Sequence, residues 1–187
     1  AIRPAREDAA VEAALDILAR GGLVALPTET VYGLAADAAN ASAVARIYAA
    51  KGRPDFNPLI AHVDGLVRAD ELVTLGPVGR ALAEAFWPGP LTLVARRKPG
   101  SAIAPGVTAG LETLAVRCPD APVMRRLIAS LDAPLAAPSA NPSGRVSPTT
   151  AQHVADGLGE AVELILDGGR CRVGVESTIV SFIEPDR

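Results

Sequence analysis

At 187 residues, 49% hydrophobic and 21% charged, the chain has the make-up of one soluble globular domain with a sizeable core, not of a disordered or fibrous segment. Aromatics at 3% leave no interleaved stacking platform for single-stranded nucleic acid, and a net charge of −3 argues against a protein basic all over while leaving room for a local basic pocket. Two cysteines (Cys118, Cys171) and two histidines (His62, His153) make neither a disulfide framework nor a metal cluster, and no signal peptide or membrane-length apolar run is present, so the expectation is a cytoplasmic protein with two small buried thiols, no metal ligands and no membrane partner.

Residues 7–20 carry Ala10, Val11, Ala14, Leu15 and Leu18 at helical spacing, stopped by Gly21-Gly22. Residues 23–26 read as a buried strand ending at Pro27, and residues 28–36 as a polar loop running into an apolar segment. A helix is expected over 42–51, ended by Gly52 and Pro54, then a strand over 59–63. Helices follow around 66–73 and 77–86, then a rigid Trp87-Pro88-Gly89-Pro90 turn and a strand over 91–96. The Gly- and Pro-rich residues 98–110 read as an exposed loop. A strand over 113–117, a helix over 123–131 and a short strand over 135–137 come next. Ser147 or Thr149 is expected to cap a helix over 149–155. A strand over 163–166 closes on Asp167-Gly168-Gly169, and 177–183 alternates as a last strand. Interleaved helices and strands give the α/β class, and connections as short as 167–175 suggest antiparallel neighbours within a mixed sheet.

Polar residues recur where predicted strands end: Thr28 and Thr30, His62, Arg117, Ser139 and Asn141. In open α/β sheets ligands bind in the crevice at such ends. Lys51-Gly52-Arg53-Pro54 places two cations on a rigid turn, and Ser139-Ala140-Asn141-Pro142 places a hydroxyl and an amide between prolines. Together they suit a polyanionic small molecule such as a nucleoside triphosphate, although no standard phosphate loop and no Gly-x-Ser-x-Gly elbow is present. Lys51 and Arg53 equally suit the macrodipole at a helix C-terminus, and Ser139 and Asn141 equally suit turn chemistry. His62 reads either as a satisfied core histidine or as a hydrogen-bonding partner of a ligand. Arg117, on an apolar strand, needs a partner, whether a ligand carboxylate, Glu112 or another acid. Glu29, Asp167 and Glu176 are scattered acids with no paired spacing.

At these residues the chain resembles the Sua5/YrdC/YwlC family of L-threonylcarbamoyladenylate synthases. The matching stretches are Leu26-Pro27-Thr28-Glu29-Thr30-Val31-Tyr32-Gly33-Leu34, Lys51-Gly52-Arg53-Pro54, Asn57-Pro58-Leu59-Ile60, Trp87-Pro88-Gly89-Pro90-Leu91-Thr92, Ala137-Pro138-Ser139-Ala140-Asn141-Pro142-Ser143-Gly144, Ile165-Leu166-Asp167-Gly168-Gly169 and Gly174-Val175-Glu176-Ser177-Thr178-Ile179-Val180, in the family's order. The resemblance implies one YrdC-like α/β domain over residues 1–187, with a twisted mixed parallel and antiparallel sheet, flanking helices and a basic concave pocket. It implies that ATP, L-threonine and bicarbonate or CO2 give threonylcarbamoyl-adenylate and diphosphate, for N6-threonylcarbamoylation of tRNA by downstream transferase proteins, with Mg2+ arriving on the ATP. By resemblance, Lys51 and Arg53 are the catalytic cations and bind ATP together with Asn57, Thr113, Ser139, Asn141 and Ser147. Thr30, His62, Arg117, Ala137 and Ser177 resemble the L-threonine set. Family members usually continue past the last strand into an Arg-Pro-Gly-containing segment that helps cover the nucleotide, and longer ones into a second domain. This sequence has neither and reads as a short form or a truncated piece. Two alternatives stand beside the synthase: an RNA-binding or ribosome-assembly module that uses the same concavity, and a carbamoyl-adenylate-forming domain of the hydrogenase-maturation type.

Overall fold

The computed structural model describes residues 1–183. β1 (Ile2–Pro4) and α1 (Asp8–Ala19) lead into β2 (Val24–Leu26), β3 (Gly33–Asp37) and α2 (Ala41–Lys51). β4 (Ile60–His62), α3 (Leu66–Leu72), β5 (Val73–Thr74) and α4 (Gly76–Phe86) follow, then β6 (Leu91–Arg97), α5 (Pro105–Thr108) and β7 (Thr113–Arg117). α6 (Pro122–Leu131), β8 (Leu135–Ala136), α7 (Ala151–Leu158), β9 (Leu164–Asp167) and β10 (Thr178–Ser181) complete the chain.

The strands form one sheet in the order β1-β9-β2-β3-β8-β4-β7-β6-β10, with β5 paired on β6 outside that path. β9 is parallel to β1 and β2, β4 to β7, and β6 to β10, while β3 and β8 supply antiparallel pairs at the centre. The expected mixed sheet is therefore present. Contrary to the expectation from its length, the short connection over 167–175 does not join antiparallel neighbours: β10 crosses to the far edge and pairs parallel with β6.

Helices cover both faces. On one, α1 and α6 bury Val11, Leu18, Met124, Leu127 and Ile128 against Val24, Leu26, Leu135 and Leu166. On the other, Val44 and Ile47 of α2, Val107 of α5 and Val154 of α7 pack with Leu34, Leu59, Leu93 and Leu114. Helix α1 uses Ile17 in place of the expected Leu15, since Ala10, Val11, Ala14, Ile17 and Leu18 form its buried stripe. Asn40 caps α2 by accepting from the N–H groups of Ser42 and Ala43, and Gly52 ends it in the left-handed conformation at φ 57°. Thr150 caps α7, accepting from His153 N–H, so neither Ser147 nor Thr149 does. The segment 98–110 is not simply an exposed loop: Ile103, Ala104, Val107 and Thr108 are buried and α5 packs on α2. Cys118 and Cys171 are buried free thiols, as expected.

Candidate functional site

The loops after β2, α2, β8 and β9 and two parallel strand ends meet around one cavity of about 390 Å3. The first loop joins β2 to β3. Thr28 Oγ1 accepts from the N–H groups of Thr30 and Val31, both at 3.2 Å, and contacts Thr30 Oγ1 at 2.9 Å, so the hydroxyls lock the turn from inside. Gly33 bridges to Ser139, and a Cβ at residue 33 would stand 3.3 Å from Ala137 Cβ. Glycine here lets the loop that carries Ala137, Pro138 and Ser139 lie against β3.

The second loop follows α2. Arg53 Nε donates to Asn57 O at 3.1 Å and Nη2 to Pro58 O at 2.9 Å, which pins the 57–58 turn against the cavity. The fourth follows β9 and delivers Glu176 and Ser177. Ser177 Oγ lies 2.7 Å from the buried Thr92 hydroxyl. β4 and β7 are parallel with His62 opposite Arg117, so both side chains emerge at neighbouring strand ends.

His62 is buried among apolar neighbours, and burial, helped by the Arg117 charge, pushes its pKa down to about 3. At neutral pH the ring is therefore uncharged, with Nδ1 3.2 Å from Ile60 O, and can offer a ligand a hydrogen bond but not a positive charge. Arg117 finds its partner inside the protein: its Nη2 donates to Glu29 Oε1 at 2.6 Å, with side chains 5% and 2% exposed. Glu112, the acid considered from sequence, instead pairs with Arg96 on the surface. The lining thus holds two guanidiniums, Arg53 and Arg117, and one carboxylate, Glu176, and Arg117 is already balanced by Glu29.

Thr30, Arg53, Asn57, His62, Arg117, Ala137, Ser139 and Ser177 are brought together in this lining. Lys51, Thr113, Asn141 and Ser147 lie outside it. Lys51 is buried, and its ammonium donates to the carbonyls of Ser139 and Asn141 and, at 3.4 Å, to Asn141 Oδ1. In return Lys51 O accepts from Ser143 N–H at 2.8 Å. Burial first, and Arg53 second, push the Lys51 pKa down to about 8. Asn141 Nδ2 donates to Pro142 O and Arg145 O, so it knits its own loop. Thr113 opens β7 at the end away from Arg117, two residues before Ala115, which does line the cavity. Ser147 Oγ donates to the Glu176 carboxylate. Glu29 and Glu176 were legible only as isolated acids. Nothing local in the sequence pairs Glu29 with an arginine 88 positions away.

A family model for the Sua5, YciO and YrdC proteins, described as telomere recombination, matches residues 16–187. The chain belongs to this family. It is 49% identical over 175 residues to the threonylcarbamoyl-AMP synthase of Bacillus subtilis, an alignment covering 93% of this chain and 50% of that one. It is 46% identical over 185 residues to that of Pyrococcus abyssi, covering 98% and 54%. The chain thus spans about half the length of the curated relatives it matches. The structure of Pyrococcus abyssi Sua5 complexed with L-threonine is similar at a TM-score of 0.90 and 45% identity, over 94% of this chain and 52% of that one. Escherichia coli YciO, at a TM-score of 0.85 and 20% identity over 98% and 88% of the two chains, shares the fold.

Proposed function

We propose that this chain carries an L-threonylcarbamoyladenylate synthase activity, joining L-threonine, CO2 and ATP into threonylcarbamoyl-adenylate with release of diphosphate, and of water as well where bicarbonate is the source of the CO2. The observation that carries the reading is the convergence of Thr30, His62, Arg117, Ala137 and Ser177 on one cavity, in a fold that a relative of 45% identity uses in complex with L-threonine. Arg117 meets the threonine carboxylate with the donors that Glu29 leaves free, and neutral His62 and the Thr30 and Ser177 hydroxyls meet its hydroxyl and amine. Arg53, Asn57 and Ser139 face the nucleotide.

In the reaction the threonine amine, once deprotonated, attacks CO2 to form the N–C bond of a carbamate. A carbamate oxygen then attacks the α-phosphorus, and the bond to the diphosphate oxygen breaks. Two anions must approach, so holding them in line and screening their charge supplies most of the catalysis. Arg53, close enough to the turn to reach phosphate oxygens, screens on one side and Arg117 holds the carboxylate on the other. Mg2+ belongs to the substrate, on the triphosphate oxygens. The product would feed tRNA threonylcarbamoylation by separate transferase proteins in the cytoplasm, a setting that the two free thiols suit.

The test is diphosphate release from ATP by the purified protein, with and without L-threonine and bicarbonate. Release that requires both co-substrates is expected. ATP turnover indifferent to threonine would overturn the reading. RNA binding with a steep salt dependence and no turnover would favour the non-catalytic RNA-binding module instead.

A further inference from the structure

Two motifs are left unused by that chemistry: the acid inside Thr28-Glu29-Thr30 and the Trp87-Pro88-Gly89-Pro90 turn. Both end on Arg117. Glu29 Oε1 accepts from Nη2 at 2.6 Å, and Gly89 O accepts from Nε at 3.2 Å. The turn is itself tied to the end of β7, because Gly89 N–H donates to Cys118 O at 2.9 Å. A Cβ at residue 89 would stand 2.3 Å from Phe86 O, so glycine is what lets the turn come this close.

A guanidinium has five N–H donors fixed in one plane. Glu29 and Gly89 engage Nη2 and Nε, and Nη1 makes no hydrogen bond to any described residue. Two anchors set the plane and leave a free edge for the cavity that Arg117 lines. Glu29 does not line that cavity. It lines a second one, of about 790 Å3, which shares Thr28 with the first, so the ion pair stands in the wall between them. Glu29 Oε2 is buried and has no hydrogen-bond partner among the described residues. Most buried side-chain polar atoms have a hydrogen-bond partner, so an orphaned carboxylate oxygen needs an explanation. This carboxylate is held where a single oxygen reaches Arg117.

We propose that Glu29 is a positioning residue for the amino-acid substrate. With the Gly89 carbonyl, it orients Arg117 so that the free guanidinium edge receives the substrate carboxylate at two points, and it does not touch the substrate itself. The proposal rests on the threonine site put forward above.

Glu29→Asp pulls the acid back by one methylene and lets Arg117 turn, whereas Glu29→Gln keeps the volume and the Oε1 acceptor. L-threonine binding is measured by calorimetry, and the threonine and ATP dependence of diphosphate release by titration, with thermal unfolding of each variant alongside. E29D is expected to weaken threonine about tenfold while the ATP requirement stays within about twofold, and E29Q to recover most of that loss. Wild-type threonine affinity in E29D overturns the proposal, as does a joint rise in both requirements or an E29Q no better than E29D. If E29D does not fold, E29Q decides by itself: threonine affinity near wild type supports orientation through the acceptor, and a loss equal to that of Arg117→Lys overturns it. A wild-type protein that binds threonine without turnover would sink the synthase reading while leaving the binding arms to judge Glu29. One that binds no threonine would sink both.

Discussion

Lys51→Met separates two roles that the sequence could not. If the ammonium were a phosphate contact, its loss would weaken ATP and leave the fold intact. The structure places it as a brace between the end of α2 and the 139–141 loop, touching carbonyls and not the cavity. Methionine fills similar space without a donor, so the Ser139 and Asn141 carbonyls lose their partner. Each buried acceptor left so costs about 1–3 kcal/mol, or about 2–6 kcal/mol for two. Part is returned because a buried cation has gone: lowering the ammonium from 10.5 to about 8 amounts to a burial penalty of roughly 3 kcal/mol. The midpoint of that range less the returned penalty leaves a net cost of about 1 kcal/mol, or roughly 2–4 °C in melting temperature for a chain of 187 residues. Thermal unfolding by circular dichroism reads this directly. Titration of diphosphate release should show a raised ATP requirement as well, because Ser139 lines the cavity and would drift. Lys51→Arg should not rescue either effect, since a planar fork cannot occupy the ammonium's place. A Lys51→Met variant that melts with the wild type but loses ATP would refute the brace and restore the direct contact.

Other outcomes follow from the same geometry. Arg117→Ala should raise the threonine requirement more than the ATP requirement, and should cost about 3–5 kcal/mol of stability because the buried Glu29 carboxylate is left unpaired; equal effects on both substrates would contradict the assignment. Arg53→Ala removes contacts on a partly exposed side chain, so the melting temperature should move by no more than a few degrees while ATP-dependent release falls steeply; an unchanged ATP requirement would take Arg53 out of the site. His62, with its pKa pushed from 6.5 to about 3, binds less proton in the fold than in the unfolded chain between those values, so stability should fall as pH drops through that window, by a few kcal/mol at the acid end. His62→Gln should flatten that part of the stability curve, and a curve parallel to wild type would show that another group titrates there.

Much of the fold was legible where one local rule decides. The period of α1, the Gly52 stop of α2 and the polar residues after short apolar strands all follow from spacing and from residues that can or cannot continue an element. β3 was not read as a strand because Gly33-Leu34-Ala35-Ala36-Asp37 is buried on both faces and so shows no alternation. β1 was missed because three residues at the surface, Ile2 and Arg3 exposed and Pro4 half-buried, become a strand only by pairing with β9, more than 160 positions on. Within the site, side chains at strand ends were found, and the contacts that hold them were not. Sequence placed Arg117 as a charge in need of an acid but could not choose Glu29 over Glu112, because the choice is made by how β2, β7 and their loops stack. It also placed Lys51 and Arg53 together as a pair of cations, but could not show that the left-handed Gly52 between them turns the first towards the carbonyls of Ser139 and Asn141 and the second to the cavity.

The interleaving of the sheet has a consequence for how the protein is made. β9 inserts between β1 and β2, and β8 between β3 and β4, so although β2 and β3 can pair with each other early, β1 and β4 cannot join them until the last third of the chain exists. At usual synthesis rates the ribosome needs about 5–20 s to travel from β3 to β8, and for that interval the outer hydrogen-bonding edges of the β2–β3 pair have no permanent neighbour. The pocket, which takes residues from the loops after β2, α2, β8 and β9, is therefore complete only once the last of these has been made.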